Sequence, residues 1–216
     1  MTNPPPPAWP RIVAIIPVGR LENAKTRLGG SLDAEERLAL AQRLLRRTLE
    51  ATIGSPDLAE TLVVSPDPAA LEIGAAAGTR TLRQRSGRLN AALRFARDDA
   101  MAGGADAVIV VPIDLPLVSA ATLAPLVREL AAGGPTGGPR VVVVSDRHGR
   151  GTNALGLAPP DVIDPAFGTD SLAAHVAAAR AAGAMVVELA GPLTLDLDTA
   201  DDLLLIERVE PELTVG

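Results

Sequence analysis

The chain has no cysteine, no tyrosine and almost no aromatic residues, which make up 1% of its 216 residues. Without cysteine there is no disulfide, no thiolate nucleophile and no cysteine-ligated metal. Proteins that bind single-stranded nucleic acid by stacking need aromatic faces, so that class is disfavoured. Because only two histidines are present, any bound metal must be held mainly by carboxylates. Oxygen ligands of this kind favour magnesium, with manganese as the second candidate.

The chain also lacks an excess of basic residues and a long apolar run. Its net charge of -6 argues against nucleic acid as a partner and suits a cytoplasmic protein. No window is apolar for about 18 residues, so no membrane span is predicted. Four prolines at 4–7 indicate a disordered tail over residues 1–10. Residues 11–216 are predicted to form a single domain.

Apolar runs alternate with amphipathic segments, which predicts an α/β fold with a mainly parallel sheet and helices on both faces. Apolar and β-branched runs predict strands at 12–16, 61–65, 79–83, 107–111, 140–145, 152–157 and 185–189. Helices are predicted at 33–52, 68–78, 86–102, 119–132, 171–182 and 199–209. Asp33 followed by Glu36 predicts a capping box at the first helix.

The first strand runs into a loop that carries three cations. The chain breaks at Pro17 and Gly19 and then presents Arg20, Lys25 and Arg27. A glycine-containing loop between a strand and a helix is a typical phosphate-binding element of α/β folds. The alternative is a solvated connector whose cations bind nothing.

Carboxylates follow two other apolar segments. Asp114 comes directly after the strand at 107–111, where ligands bind in open α/β sheets. Asp196 and Asp198 are two residues apart, so in an extended segment they point to the same side. A divalent cation would remove their repulsion. The alternatives are that Asp114 ties down a turn, that Asp198 or Thr199 caps the last helix, and that Asp196 is merely exposed.

Two motifs of small residues, GTNAL at 151–155 and FGTDS at 167–171, offer backbone N–H groups and hydroxyls. The second opens a helix, whose N-terminus attracts anions; the alternative is helix capping by Asp170. His175 lies among alanines and is interpreted as a packed helix residue, and His148 as an exposed one. No Ser–His or Cys–His pair is present, so the residues favour phosphoryl or nucleotidyl transfer.

The order of these motifs resembles a known family, the phosphoenolpyruvate or 2-phospho-L-lactate guanylyltransferases of coenzyme F-420 biosynthesis. The resemblance covers residues 11–209 and rests on PV at 17–18, AKTRL at 24–28, DLP at 114–116, the two small-residue motifs and DLDT at 196–199. It implies a Rossmann-like nucleotidyltransferase fold of the nucleotide-diphospho-sugar transferase type. The implied reaction joins GMP from GTP to a phosphorylated three-carbon acid and releases pyrophosphate.

The resemblance also implies roles for individual residues. Acceptor contacts carry over to Thr152, Gly168 and Ser171. Magnesium ligands carry over to Asp114 and to one of Asp196 and Asp198, with Asp196 favoured. Nucleotide contacts are assigned to Arg20, Lys25, Arg27 and Asn90. Lys25 and Arg27 are expected to neutralise the leaving pyrophosphate, and with Asp114 they are the candidate catalytic residues.

One position departs from the family pattern, because Gly19 stands where the family commonly carries lysine; Arg20 is the candidate to supply that charge. Two other functions remain open on the sequence. One is nucleotidyl transfer to another acceptor, such as a molybdopterin or a sugar phosphate, and the other is GTP binding without catalysis. A homodimer and a hand-over of product to the next enzyme of the pathway are further hypotheses.

Overall fold

The computed structural model describes residues 10–84, 88–133 and 137–210. Its strands are β1 Ile12–Pro17, β2 Glu60–Ser65, β3 Arg80–Arg83, β4 Ala107–Val110, β5 Arg140–Ser145, β6 Thr152–Ala158 and β7 Met185–Leu189. Its α-helices are α1 Ala34–Ile53, α2 Pro68–Ala76, α3 Leu89–Ala102, α4 Ala120–Gly133, α5 Ser171–Ala181 and α6 Ala200–Val209. The predicted strands and helices are confirmed, with most ends shifted by one or two residues. The tail predicted at 1–10, apart from Pro10, and the helix start predicted at Ser86 fall outside the described residues.

The described strands form one sheet in the order β3-β2-β1-β4-β6-β5-β7. β6 pairs antiparallel with β4 and β5, and the other pairs are parallel. The prediction of a mainly parallel sheet is therefore confirmed, while the reversal of β6 was not predicted. Because β6 runs against its neighbours, its first residue, Thr152, lies at the edge where the other strands end.

Side chains of β1 alternate between the two faces of the sheet. Ile12 and Ala14 belong to a core cluster with α4, whereas Val13 and Ile15 belong to a cluster with α3 and α5. Ile16 joins α1 and α2 in a third cluster. This alternation follows from the two-residue period of a strand, and it confirms helices on both faces.

Helix α6 packs against α1 and against the loop that follows β1. The contact is an apolar cluster that includes Leu28, Leu40, Leu44, Leu197 and Ile206, each at most 1% exposed. Burying a leucine stabilises a fold by roughly 2 kcal/mol. The cluster therefore holds the cation-bearing loop beside the segment that carries Asp196 and Asp198.

The helix starts are fixed by local hydrogen bonds. Asp33 accepts from the Glu36 amide at 2.9 Å, and the Glu36 carboxylate accepts from the Asp33 amide at 2.7 Å. This reciprocal pair confirms the predicted capping box. Thr199 and Asp202 form a second capping box at α6. None of the helices in the described ranges is long and apolar enough to cross a membrane.

Candidate active site

The candidate site lies at the edge of the sheet where β1, β2 and β4 end. After β1 the chain adds β2 and then β3 on one side of β1, and it then crosses over to place β4 on the other side of β1. Such a switch point is where open α/β sheets bind ligands. A cavity of about 340 Å³ lies there, lined mainly by residues that follow these strands and by the start of α3: Pro17, Val18, Gly19, Val64, Pro66, Gln84, Arg88, Leu89, Ala92, Pro112, Ile113 and Asp114.

Three carboxylates come together beside this cavity. The backbone amide of Leu197 donates to the Asp114 carbonyl at 2.9 Å, which ties the segment of Asp196 and Asp198 to the loop after β4. Burial raises the pKa of Asp114; the nearby charge of Lys25 opposes this rise and that of Asp198 adds to it. Burial also raises the pKa of Asp196, and the charge of Asp114 raises it further. These carboxylates thus repel one another in the absence of a bound cation.

The donor set fits a magnesium ion that takes part of its coordination from substrate. Within residues 10–84, 88–133 and 137–210, no three His, Cys, Asp or Glu side chains are grouped closely enough to hold a metal ion by themselves. Magnesium usually binds through one or two carboxylates together with waters and substrate phosphates. Asp114 and Asp196 offer that smaller number of ligands. The magnesium assignment stays a prediction.

Lys25 is the most enclosed of the three cations in the loop after β1. Its ammonium donates to the Leu197 carbonyl and to Asp198 Oδ1, the latter at 3.3 Å. Its side chain is 6% exposed, whereas that of Arg27, which donates to Asp198 Oδ2 at 3.2 Å, is 75% exposed. Arg20 lies apart from both, 3.8 Å from Glu22 on the surface.

Asp198 therefore differs from Asp196 in its partners. Both of its carboxylate oxygens already face a cation of the loop after β1. Thr199, and not Asp198, caps α6, so the capping alternative for Asp198 is wrong. Asp196 instead accepts a hydrogen bond from Asn153. Asp196 is the better candidate to bind a metal, as the family resemblance implies.

A second polar region lies at the start of α5. The backbone there is unusual, since Gly168 has a φ of 136° and Asp170 a φ of 54°. Asp170 makes no capping hydrogen bond with its side chain, so the capping alternative is wrong for this residue. Its carboxylate instead accepts two hydrogen bonds from the Arg150 guanidinium, at 2.9 and 2.8 Å. This solvent-exposed ion pair joins Arg150 to a loop whose conformation only glycine and a few polar residues adopt readily.

The first amides of α5 already have acceptors. Ser171 donates to the Gly168 carbonyl at 3.2 Å, and Leu172 donates to the Arg150 carbonyl at 3.1 Å. The amides of Gly168, Thr169 and Asp170 have no acceptor within the part of the chain that the structure describes. They are the free donors that this loop can offer to an anion, beside the buried Ser171.

Asn90 braces the same loop from α3. Its side-chain amide donates to the Phe167 carbonyl and its side-chain oxygen accepts from the Phe167 amide, both at 2.9 Å. This reciprocal pair uses one donor and one acceptor of Asn90. A direct contact of Asn90 with the nucleotide stays a prediction, and the structure adds a supporting role toward the loop of residues 166–171.

Three further residues belong to the site and were not identified from the sequence as functional. His175 is fully buried, as expected for a packed helix residue, and it lies 2.9 Å from the Thr152 hydroxyl. Asn153 donates to the Leu193 carbonyl at 3.0 Å and also contacts Asp196. Arg150 fixes Asp170. Of these three residues, only Asn153 could have been identified from the sequence, because it lies inside the GTNAL motif.

The start of β6 connects the two regions. Thr152 contacts α5 through His175, while its neighbour Asn153 contacts the carboxylates through Asp196. Successive residues of a strand point to opposite sides, so this one short segment contacts both the carboxylates and the start of α5. The structure thus brings Lys25, Arg27, Asp114, Asp196, Asp198, Thr152, Gly168 and Ser171 to one edge of the sheet, and leaves Arg20 at its periphery.

Comparison with known proteins gives a consistent result. Residues 12–207 match the sequence model of a family described as guanylyl transferase CofC like. A phosphoenolpyruvate guanylyltransferase from Sphaerobacter thermophilus is 41% identical over 192 residues, which cover 88% of this chain and 90% of the relative. One from Rubrobacter xylanophilus is 41% identical over 197 residues, covering 91% and 93%.

Solved structures agree on the fold. A protein from Desulfovibrio desulfuricans, described as a nucleotide-diphospho-sugar transferase, superposes with a TM-score of 0.73 at 20% identity, covering 92% of this chain and 87% of the other. A nucleotidyl transferase from Methanothermobacter superposes with a TM-score of 0.63 at 18% identity, covering 94% and 97%. At these identities the likeness establishes the fold, which is the predicted nucleotidyltransferase type.

Proposed function

Because the chain belongs to the CofC-like guanylyl transferase family, we propose that it transfers GMP from GTP to phosphoenolpyruvate and releases pyrophosphate. An acceptor phosphate oxygen attacks the α-phosphorus of GTP. A new P–O–P linkage forms as the bond from the α-phosphorus to the oxygen bridging to the β-phosphate breaks. The observation that carries the proposal is the convergence of Lys25, Asp114 and Asp196 at the switch point, next to a loop with free amides.

The nucleotide is assigned to the cavity between the ends of β1, β2 and β4. Its mostly apolar wall suits a planar base, and Gln84 and Arg88 supply polar groups. The triphosphate then extends toward the loop after β1. Lys25 neutralises charge on the leaving pyrophosphate, and Arg27, being largely exposed, contributes less.

Both substrates are polyanions, so charge neutralisation is the main task of the site. Two unit charges ~4 Å apart repel by about 4 kcal/mol at an effective dielectric constant of ~20. Magnesium held by Asp114 and Asp196 would, when bound, screen this repulsion and stabilise charge in the transition state. Asp198 keeps Lys25 and Arg27 oriented through its two oxygens.

The acceptor is assigned to Thr152, Gly168 and Ser171. Thr152 offers a hydroxyl, the loop after Gly168 offers the amides of Thr169 and Asp170, and Ser171 is buried at the helix start. Because Arg150 and Asn90 brace this loop, the acceptor can be held for in-line attack with little rearrangement. The family resemblance supports a place for this reaction in coenzyme F-420 biosynthesis.

The proposal is tested by mass spectrometry of the product formed from GTP, magnesium and one phosphorylated acid at a time. The panel contains phosphoenolpyruvate, 2-phospho-L-lactate, 3-phosphoglycerate and a sugar phosphate. We expect a GMP adduct with phosphoenolpyruvate, magnesium-dependent release of pyrophosphate, and at least tenfold slower reaction with the other acids. Release of pyrophosphate only with a sugar phosphate, or GTP binding without an adduct, would replace the proposal by one of the two alternatives.

A further inference from the structure

His175 occupies a position that links both sides of the acceptor region. It lies on α5 and is completely buried. Its Nδ1 atom lies 2.9 Å from Thr152 Oγ1 at the start of β6. Its Nε2 atom lies 2.9 Å from the backbone nitrogen of Ala166, just before the loop that opens α5. The Phe167 ring packs against the imidazole in a T-shaped arrangement, with ring centroids 5.2 Å apart.

These contacts determine where the imidazole carries its proton. A backbone N–H can only donate, so Nε2 must accept from Ala166 through its lone pair. Burial lowers the pKa of His175 to about 4, so the ring is neutral near pH 7. A neutral imidazole has one proton, which therefore resides on Nδ1. The atom facing Thr152 is thus a donor.

The direction of this hydrogen bond decides what the Thr152 hydroxyl can do. Since Nδ1–H donates to Oγ1, the hydroxyl cannot donate its own proton to His175. No other partner of Oγ1 is found among residues 10–84, 88–133 and 137–210. The proton of the hydroxyl therefore remains free to donate to a further acceptor atom.

We propose that His175 is a positioning residue that holds the Thr152 hydroxyl as a hydrogen-bond donor toward an oxygen of the anionic acceptor. The inference rests on the proposed function, because it takes Thr152 to contact the acceptor. It adds a residue that acts only through Thr152 and through the Ala166 end of the loop. The same imidazole therefore sets the relative placement of the two elements that hold the acceptor.

Two substitutions separate the two hydrogen bonds of His175. In His175→Asn the side-chain nitrogen takes the place of Nδ1 and can still donate to Thr152. In His175→Gln a terminal oxygen reaches the place of Nε2 and still accepts from Ala166, but the donor toward Thr152 is lost. Both variants lose one hydrogen bond and ring packing, so they are matched for structural damage.

The kinetic constants of the two variants test the proposal. We expect His175→Gln to raise KM for phosphoenolpyruvate about tenfold, the range for a lost hydrogen bond to a charged group, with KM for GTP within twofold of wild type. His175→Asn should keep KM for phosphoenolpyruvate within about threefold. Equal effects of the two variants, or parallel changes in both KM values, would overturn the positioning role.

A double-mutant cycle checks that His175 acts through Thr152. Thr152→Val, which removes the hydroxyl, should raise KM for phosphoenolpyruvate. In the Thr152→Val background, His175→Gln should have no further effect on that KM, because its target is gone. Additive effects would contradict the proposal. If the wild-type protein forms no adduct at all, the proposed function fails first, and that result is distinct from an active enzyme whose variants are additive.

The tautomer can be measured without any substrate. Long-range ¹H–¹⁵N NMR at pH 7 distinguishes Nδ1–H from Nε2–H, and with only two histidines in the chain, a His148→Gln variant assigns the signals. We expect His175 to be the Nδ1–H tautomer. An Nε2–H tautomer or an imidazolium would overturn the inference whether or not the protein is active, and even if the variants fail to fold.

Discussion

The two halves of the site are built on opposite principles. Around Asp114 and Asp196 like charges meet. Burial raises the pKa of both carboxyl groups, the charge of Lys25 opposes the rise at Asp114, and neighbouring carboxylates add to the rise at both. Around Thr152 and His175 the groups are neutral and hydrogen-bonded, and the loop of residues 166–171 is held by Asn90, Arg150 and His175. The first half is therefore unfavourable until a ligand arrives, whereas the second is organised beforehand. Substitutions in each half should therefore differ in their effects on stability and on activity.

The largest effect is expected at Asp114. Asp114→Asn should lower kcat/KM by at least about 10³-fold, the upper range for loss of one electrostatic element, and should raise the Tm of the metal-free protein. A carboxyl group whose folded pKa is raised destabilises the fold. The cost sets in as pH rises above the unfolded-state pKa and grows until pH reaches the raised folded-state pKa. The neutral amide of the substituted side chain removes this cost.

The control for this pair of measurements is Asp161→Asn, since Asp161 is exposed and follows the far end of β6. Activity assays with magnesium and thermal melts in EDTA give the two readouts. A Tm of the Asp114→Asn variant below that of the control would show that the carboxylates are not in conflict. Activity near that of wild type would remove Asp114 from the site.

The second prediction compares Lys25 with Arg27. Lys25→Met keeps the length of the side chain and the left-handed backbone, with its φ of 55°, but removes the charge. We expect kcat/KM to fall about 10²-fold, because a charge near the reacting phosphates is lost in a partly dehydrated site. Arg27→Met should cost about tenfold or less, since that side chain is 75% exposed and screened by solvent. A larger loss at Arg27 would reverse the assignment of the principal cation.

The third prediction concerns how the stability of the protein at acidic pH depends on His175, in the hydrogen-bonded half of the site. Because burial lowers the pKa of His175 to about 4, its contribution to stability is complete above pH 6.5 and is lost as pH falls toward 4. The full change is about 3 kcal/mol, at 1.36 kcal/mol per pKa unit. Urea unfolding at several pH values should therefore show that the stability gap between wild type and His175→Gln narrows over this window. A gap that stays constant would mean that His175 is not buried as a neutral ring.

The smallest effect is expected at Gly19. A Cβ built at this position meets no atom within 4 Å, so a longer side chain fits at the cavity that Gly19 lines and that we assign to the nucleotide. Gly19→Lys should lower KM for GTP by up to about fivefold, as expected for one partly exposed charge pair, with kcat unchanged. Gly19→Met is the control for length without charge. An equal effect of both substitutions would assign the change to packing.

The sequence predicts much of the fold and the charged half of the site, for a physical reason. Asp114 follows an apolar strand directly, and the alternation of Asp196 and Asp198 is a local pattern, so both can be identified from neighbours in the chain. The hydrogen-bonded half depends on contacts between distant segments. His175 looks like any packed residue among alanines, and its partners Ala166 and Thr152 are known only once α5 docks beside β6.

The direction of β6 is the other feature that the sequence leaves open. Its apolar composition predicts a strand, yet parallel and antiparallel strands look alike in such a short run. The reversal is what brings Thr152 and Asn153 to the edge where the other strands end. Asp170 has the sequence pattern of a helix-capping residue, but its carboxylate pairs with Arg150 instead. This ion pair could not be predicted from the local pattern, because it joins residues that are far apart in the sequence.

The most direct test of the central claim is ³¹P NMR of a reaction containing GTP, phosphoenolpyruvate, magnesium, the protein and a pyrophosphatase. We expect the phosphoenolpyruvate signal to be replaced by a pair of mutually coupled diphosphate signals, one from the acceptor phosphorus and one from the α-phosphorus of GTP. An unchanged phosphoenolpyruvate signal, with GTP either intact or hydrolysed to GMP, would contradict it.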